Sequence, residues 1–199
     1  MTSAGSPKLV LASSSPRRKQ LLQRLGLSFL IDPSLQEENF NPRTSSPEIA
    51  VELSRQKAEN VAGRYRDAVI LAADTIVVCQ GEIMGKPQSL SVARDMLVRL
   101  RKQEHKVYTG LAVLGKSQGN NGELLTELDC TRVKMRNFSD AELEAYLESG
   151  EPMGKAGAYA IQGLGSLLVE SITGSYFTVM GLPVHLLPDM LGRFAIRIL

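Results

Sequence analysis

Cysteine and histidine are scarce in this 199-residue chain, with two of each. Cys79 and Cys130 stand far apart and form neither a C-x-x-C pair nor a disulfide framework. Both read as small core fillers of a protein kept in a reducing compartment. His105 and His185 are too few for a His-rich zinc site, so any metal should be a hard cation on carboxylates. No G-x-S-x-G elbow is present, which excludes the usual α/β-hydrolase nucleophile. Aromatic residues make up 5% of the chain, and 23 Lys+Arg nearly balance 21 Asp+Glu. That balance argues against a dedicated nucleic-acid binder, which needs a basic excess or a ladder of stacking rings. Long apolar runs are also missing. The longest, Ala68 to Ala73, falls far short of the roughly 18 residues of a membrane span, and MTSAGSPK at the start carries no signal-like stretch. What remains is an ordinary globular composition, 43% hydrophobic and 22% charged. The expectation is a cytoplasmic protein with a single domain over residues 1–199, residues 1–7 forming a tail.

Strand and helix signals alternate. KLVLA, from Lys8 to Ala12, reads as a buried strand, and Ser13 to Ser15 as a tight loop. Pro16 to Leu25 reads as a helix capped by Ser15 and closed by Gly26. Ser28 to Ile31 begins a second strand, and Gln36 to Ser46 is a polar loop. A long helix follows from Ser46 to about Tyr65, then the strongest strand, Ala68 to Val78. Glu82 to Met84 returns as a short strand, and Ser89 to Leu100 is an amphipathic helix. Lys106–Leu114 and Leu124–Lys134 form a hairpin signal around KSQGNNGE. A capping box at Ser139 and Glu142 opens a helix to about Leu147. After a glycine-rich stretch, Leu167 to Ile172 reads as a strand and Leu182 to Arg197 as a final helix. The pattern predicts an α/β fold with a mixed β-sheet flanked by helices.

Asp74 is the most informative residue, because its run is otherwise apolar apart from Thr75. A carboxylate there must meet a cation, take several hydrogen bonds or be neutralised. It is either a capping acid at a strand end or, the reading we favour, a general base or metal ligand at the mouth of a sheet. Lys57 shares a helix face with Leu53 and Val61, so it either snorkels to water or reaches an anion. Lys86 in G-K-P and Lys155 in GEPMGKAGAYAIQG would each pass alone for surface lysines. Ser13 to Arg18 offers a phosphate site, since a helix N-terminus presents free N–H groups and a positive dipole end. Arg17 and Arg18 sit in that first turn, where the dipole disfavours cations unless an anion compensates. The segment Gly81-x-x-x-Gly85-Lys86-Pro87 is one residue short of a P-loop and has proline in place of its Ser/Thr. Glu37 and Glu38 are either solvated charge or oxygen ligands for Mg²⁺ beside Asp74.

Taken in order, LVLASSSPRRKQLL, Glu37-Glu38, Gln56-Lys57-Ala58, Ala73-Asp74-Thr75, Gly85-Lys86-Pro87, KAGAYAIQG from Lys155 and VMGLP from Val179 resemble the Maf family of nucleoside triphosphate pyrophosphatases. The resemblance runs from about Lys8 to the last helix. It implies a mixed-sheet fold related to the inosine triphosphatase-like (Ham1) enzymes, with a cleft between two lobes. It implies hydrolysis of a nucleoside triphosphate to the monophosphate and pyrophosphate, a divalent metal (Mg or Mn), and a homodimer. By the same resemblance Asp74 is the proton acceptor; Lys57 and Lys86 are the further catalytic residues, expected to stabilise charge on the phosphates. Substrate contacts fall to Ser13, Ser15, Arg17, Arg18, Thr75, Lys155 and Gln162, and metal contacts to Glu37, Glu38 and Asp74. Arg17, Thr75 and Gln162 match the family members that prefer dTTP and UTP; those acting on 7-methyl-GTP carry Trp, Gln and Glu there. Two departures stand out: Gly154 replaces the usual Asp before Lys155, and Leu100-Arg101-Lys102-Gln103 replaces L-S-G-R. The rival expectations are the same hydrolysis on another modified nucleotide, and a non-enzymatic regulator of cell division that binds nucleotide or nucleic acid.

Overall fold

The computed structural model describes residues 7–36, 41, 44–115 and 122–199. Its strands are β1 (Lys8–Leu11), β2 (Phe29–Ile31), β3 (Ala68–Cys79), β4 (Glu82–Met84), β5 (Glu104–Gly115), β6 (Glu123–Met135) and β7 (Val169–Thr173). They hydrogen-bond in the order β2-β1-β3-β5-β6-β7, with β4 paired to β3. β1 runs parallel to both β2 and β3, whereas β4 on β3 and β7 on β6 are antiparallel. The sheet is therefore mixed, as the alternation of elements predicts. The helices are α1 (Pro16–Arg24), α2 (Ser46–Ala62), α3 (Leu90–Leu100), α4 (Asp140–Glu148), α5 (Tyr176–Met180) and α6 (Leu187–Gly192). No helix among the described residues is long and apolar enough to cross a membrane.

The chain divides into two compact units. The first holds Met1–Asp74, Thr109–Leu128 and Gly181–Leu199; the second holds Thr75–Tyr108 and Asp129–Met180. In the first, β1 is buried along nearly its whole length because strands flank it on both sides, which explains the uninterrupted LVLA. Val10, Ile70, Ala72 and Ala112 from the strands, and Ala12 just past β1, pack with Ala58 and Val61 of α2. Gly110 of β5 makes that packing close: a Cβ there would overlap the backbone of Ala50, 2.5 Å from its carbonyl carbon and 2.7 Å from the Val51 nitrogen. Helix α2 can sit directly on the strand only because this residue has no side chain. Its N-terminus is fixed by the Ser45–Glu48 capping box, and Arg55 bridges Glu52 and Glu59 on the outer face.

In the second unit, Ser89 caps α3 by accepting from the Val92 amide, and the Ser139–Glu142 capping box opens α4 where the sequence predicts it. Arg136 and Ser139 together hold the Glu142 carboxyl down at about 2. Phe138, Leu143, Tyr146 and Leu147 are buried beside it. Beyond α4 the chain forms two 3₁₀ turns, Ala156–Ala158 and Leu164–Leu168, before β7.

Several expected boundaries are corrected. Helix α2 stops at Ala62 instead of reaching Tyr65, because Gly63 ends it and the Arg64 and Tyr65 amides close tighter turns onto Val61 and Ala62. The strand expected from Leu167 starts at Val169: the Ser166 amide and hydroxyl both bond the Gly163 carbonyl and wind 164–168 into a 3₁₀ turn. The expected final helix, Leu182 to Arg197, is not formed. Pro183 precedes a single 3₁₀ turn at Val184–Leu186, Pro188 restarts a short α6, and the chain leaves helical geometry after Gly192, with Ala195 at φ 59°. Helix α5 has no counterpart among the predicted elements. The residues 37–40, 42–43 and 116–121 of the two expected loops, and residues 1–6 of the expected tail, lie outside the described set.

Candidate active site

The first unit answers the question Asp74 poses. The residue is 7% exposed and is the one buried carboxylate among the described residues. Its Oδ1 accepts from the Lys57 ammonium across the gap between β3 and α2. The Lys57 and Asp74 side chains are 17% and 10% exposed, so the ion pair is largely removed from water. Lys57 therefore reaches an anion and does not snorkel to solvent. The close approach at Gly110 is what brings its helix near enough to do so. A fixed carboxylate next to a fixed cation can orient a water and withstand the arrival of a polyanion.

The Ser13 loop is in the same unit. Ser15 caps α1, Pro16 takes the first helical turn, and the Ser15 amide donates to the Ser13 hydroxyl at 3.2 Å. Arg18 donates from Nη1 to the Ser13 hydroxyl at 3.1 Å and from Nε to the Gly181 carbonyl at 2.7 Å. Its guanidinium thus joins the loop to the M-G-L-P turn, and two of its nitrogens are engaged with protein acceptors. Arg17, half-buried, stands one residue earlier in the same turn. Gly181, with φ 97°, carries no sequence signal of its partnership with Arg18. Nothing local in the sequence couples two residues so far apart.

Lys86, Lys155, Thr75 and Gln162 belong to the second unit. Thr75 follows Asp74 on β3, so its side chain leaves the opposite face of the strand. Lys86 is exposed after β4, and Pro87 behind it is buried. The Gly157 amide donates to the Gly85 carbonyl at 3.1 Å, which ties the Lys86 loop to the Lys155 loop. Gly157 adopts φ 69° and presses on Val77, whose methyls would lie 3.1 and 3.3 Å from any Cβ. Glycine is required there on both counts. The Lys155 ammonium donates to the Glu151 carbonyl at 2.5 Å. Gln162 is half-buried at the far end of the same segment.

For a metal, the donor chemistry is that of a hard cation. Asp74 is a buried carboxylate oxygen donor, while Glu37 and Glu38 lie outside the described residues. No group of three or more His, Cys, Asp or Glu gathers among the described residues. One carboxylate completed by phosphate oxygens is the usual arrangement for Mg²⁺, which rarely takes an all-protein cage, and Asp74 fits that role.

A family model described as "Maf-like protein" matches residues 8–194. The chain belongs to the Maf-like protein family. Among its relatives, the dTTP/UTP pyrophosphatase of Halalkalibacterium halodurans is 47% identical over 176 residues, covering 88% of this chain and 90% of that protein. The dTTP/UTP pyrophosphatase of Moorella thermoacetica is 46% identical and covers 96% of this chain and 97% of its own length. That of Dictyoglomus turgidum is 44% identical, covering 96% and 98%. Among solved structures, the Ham1 protein of Staphylococcus aureus aligns at 12% identity with a TM-score of 0.44, over 65% of this chain and 72% of that one. The matched span includes Glu37 and Glu38.

Proposed function

We propose that this protein hydrolyses dTTP and UTP to the nucleoside monophosphate and pyrophosphate. The observation that carries the reading is the buried Lys57–Asp74 pair, a carboxylate held in a fixed direction at the end of an apolar strand segment. Relatives sharing nearly half their residues over most of both chains bear the name dTTP/UTP pyrophosphatase, which supports the same reading.

In this mechanism Asp74 accepts a proton from a water as that water's oxygen attacks the α-phosphorus. The bond from that phosphorus to the bridging oxygen breaks, and its electron pair leaves with pyrophosphate. Lys57 holds the carboxylate in place and offsets its charge. Arg17, Lys86 and Lys155 offset the charge that develops on the phosphates, the main task in phosphoryl transfer. The positive dipole end of α1, behind the Ser13–Ser15 loop, attracts the phosphate oxygens. Arg18 shapes that loop through Ser13 and Gly181. Gln162 offers both a donor and an acceptor to a pyrimidine edge, and Thr75 and Arg17 complete the discrimination. A divalent cation on Asp74, with Glu37 and Glu38, would offset the charge on triphosphate oxygens when bound. The protein works as a cytoplasmic homodimer in this reading; both cysteines are free, as a reducing compartment requires.

The test is pyrophosphate release from a panel of natural and modified triphosphates with Mg²⁺ and Mn²⁺. The expected result is turnover of dTTP and UTP above the purine nucleotides, and a loss of about 10²–10⁴-fold in Asp74→Asn with the circular dichroism spectrum unchanged. Near-normal turnover in that variant removes Asp74 as the base. No pyrophosphate from any nucleotide removes the activity.

A further inference from the structure

Gln162 lies in a segment of poor regular structure, yet the backbone on both sides of it is held by one side-chain pair. On its N-terminal side, the Ala160 amide donates to the Tyr146 hydroxyl at 3.2 Å. On its C-terminal side, the Leu164 and Gly165 amides donate to the Glu151 carboxylate at 3.1 and 2.8 Å. The Tyr146 hydroxyl in turn donates to Glu151 Oε1 at 3.0 Å, so the phenol and the carboxylate form a single unit. The backbone carbonyl of Glu151 also accepts the Lys155 ammonium. One residue therefore bonds Lys155 with its main chain and the Gln162 segment with its side chain.

The glycines bear this out independently. Gly163 has φ 110°, and a Cβ there would fall on the Glu151 carboxylate, whose Cδ lies 3.1 Å from that point. A Cβ at Gly165 would lie 2.7 Å from the Tyr146 hydroxyl and 2.5 Å from the Ala160 carbonyl oxygen. Both positions lack a side chain where the clamp occupies the space a side chain would need. Tyr146 is itself buried on α4, which gives the clamp a rigid base.

We propose that Glu151, with Tyr146, is the positioning residue for base discrimination: it fixes the main chain around Gln162, and with it the donor and acceptor Gln162 presents to the base. This rests on the reading that the site takes pyrimidine nucleoside triphosphates. An ionised carboxylate is suited to the task because it accepts all three donors at once and offers none. An amide of the same size must turn one N–H group toward another donor.

The test compares kcat and KM of wild type, Glu151→Gln and Tyr146→Phe on UTP, dTTP, CTP and GTP, with thermal midpoints measured in parallel. For Glu151→Gln, KM for UTP and dTTP should rise about tenfold while kcat stays within about threefold, the loss of a charge-assisted contact being felt in binding. The preference for UTP and dTTP over CTP and GTP should shrink by a similar factor. Tyr146→Phe should move both quantities the same way by about threefold, and it decides the matter if the glutamine variant does not fold. Equal losses on every nucleotide with the preference intact, or unchanged KM values, overturn the proposal. Wild-type protein that releases no pyrophosphate from UTP or dTTP overturns the underlying activity and this inference with it; active wild type with unaltered preference in both variants overturns this inference alone.

Discussion

Replacing Lys57 by methionine keeps most of the aliphatic stem of the side chain and deletes the ammonium. Asp74 is then left 7% exposed beside apolar strand neighbours with its cation gone. Breaking a buried ion pair by removing one partner costs about 3–5 kcal/mol. The Lys57 side chain keeps 17% of its exposure, which allows water some access to the abandoned carboxylate and places the loss near the lower end, about 3 kcal/mol. Asp74→Asn should cost less, because the amide oxygen still accepts from Lys57. In the double variant no charge is stranded, and its loss should fall short of the sum of the single losses by about 2 kcal/mol. The measurement is urea unfolding followed by far-ultraviolet circular dichroism, since the chain has no tryptophan. If Lys57→Met costs under about 1 kcal/mol, or the two changes add within about 0.5 kcal/mol, the pair behaves as an exposed one. The site would then lack the rigid, dehydrated carboxylate on which the mechanism depends.

Two further outcomes follow from packing and from burial. Gly110→Ala should destabilise the protein by about 1–3 kcal/mol in the same urea assay, because α2 has to move off β5; it should also lower turnover, since α2 carries Lys57, and a fully stable, fully active variant would refute the close-approach reading. His105 is 2% exposed, bonded through Nε2 to the Tyr159 hydroxyl at 2.8 Å, and burial pushes its imidazole down to about 4. The unfolded chain takes up that proton near the ordinary value of 6.5 and the native state only near 4, so the residue's contribution is complete above pH 6.5 and lost as pH falls toward 4, by up to about 3 kcal/mol. His105→Gln, which keeps a hydrogen-bonding group without titrating, should flatten the fall in stability across that window; parallel wild-type and variant curves would refute the assignment.

What the sequence makes legible depends on how far each feature's cause lies from it along the chain. The start of α1 is visible because its cap and its proline are adjacent, and the capping box of α4 because its members are three residues apart. Asp74 is visible as an anomaly, since a charge inside an apolar strand calls for compensation wherever its partner comes from. Lys57 is ambiguous by the same logic: its helix alone permits snorkelling, and only the contact at Gly110 decides against it. Arg18 shows the limit. Its place at a helix N-terminus points to an anion, and the structure gives two of its nitrogens to Ser13 and to a carbonyl 163 positions away.

Glu151 is less legible still, an ordinary acid in a turn whose partners are backbone amides that every residue possesses. Its one trace in the sequence is indirect: glycines at 163 and 165, where the clamp fills the space of a Cβ. The failure at the C-terminus has the opposite cause. Leu182, Leu186, Leu187, Met190 and Leu191 repeat with helical spacing, but Pro183 and Pro188 divide the run into turns too short to act as one helix. Periodicity reports which residues seek the core, and here both a helix and a set of short turns satisfy it. The chain is thus most legible where a residue conflicts with its immediate neighbours. It is least legible where an ordinary residue does its work through the main chain of a distant segment, and for the Glu151 clamp a comparison of nucleotide preferences is the measurement that can reveal such work.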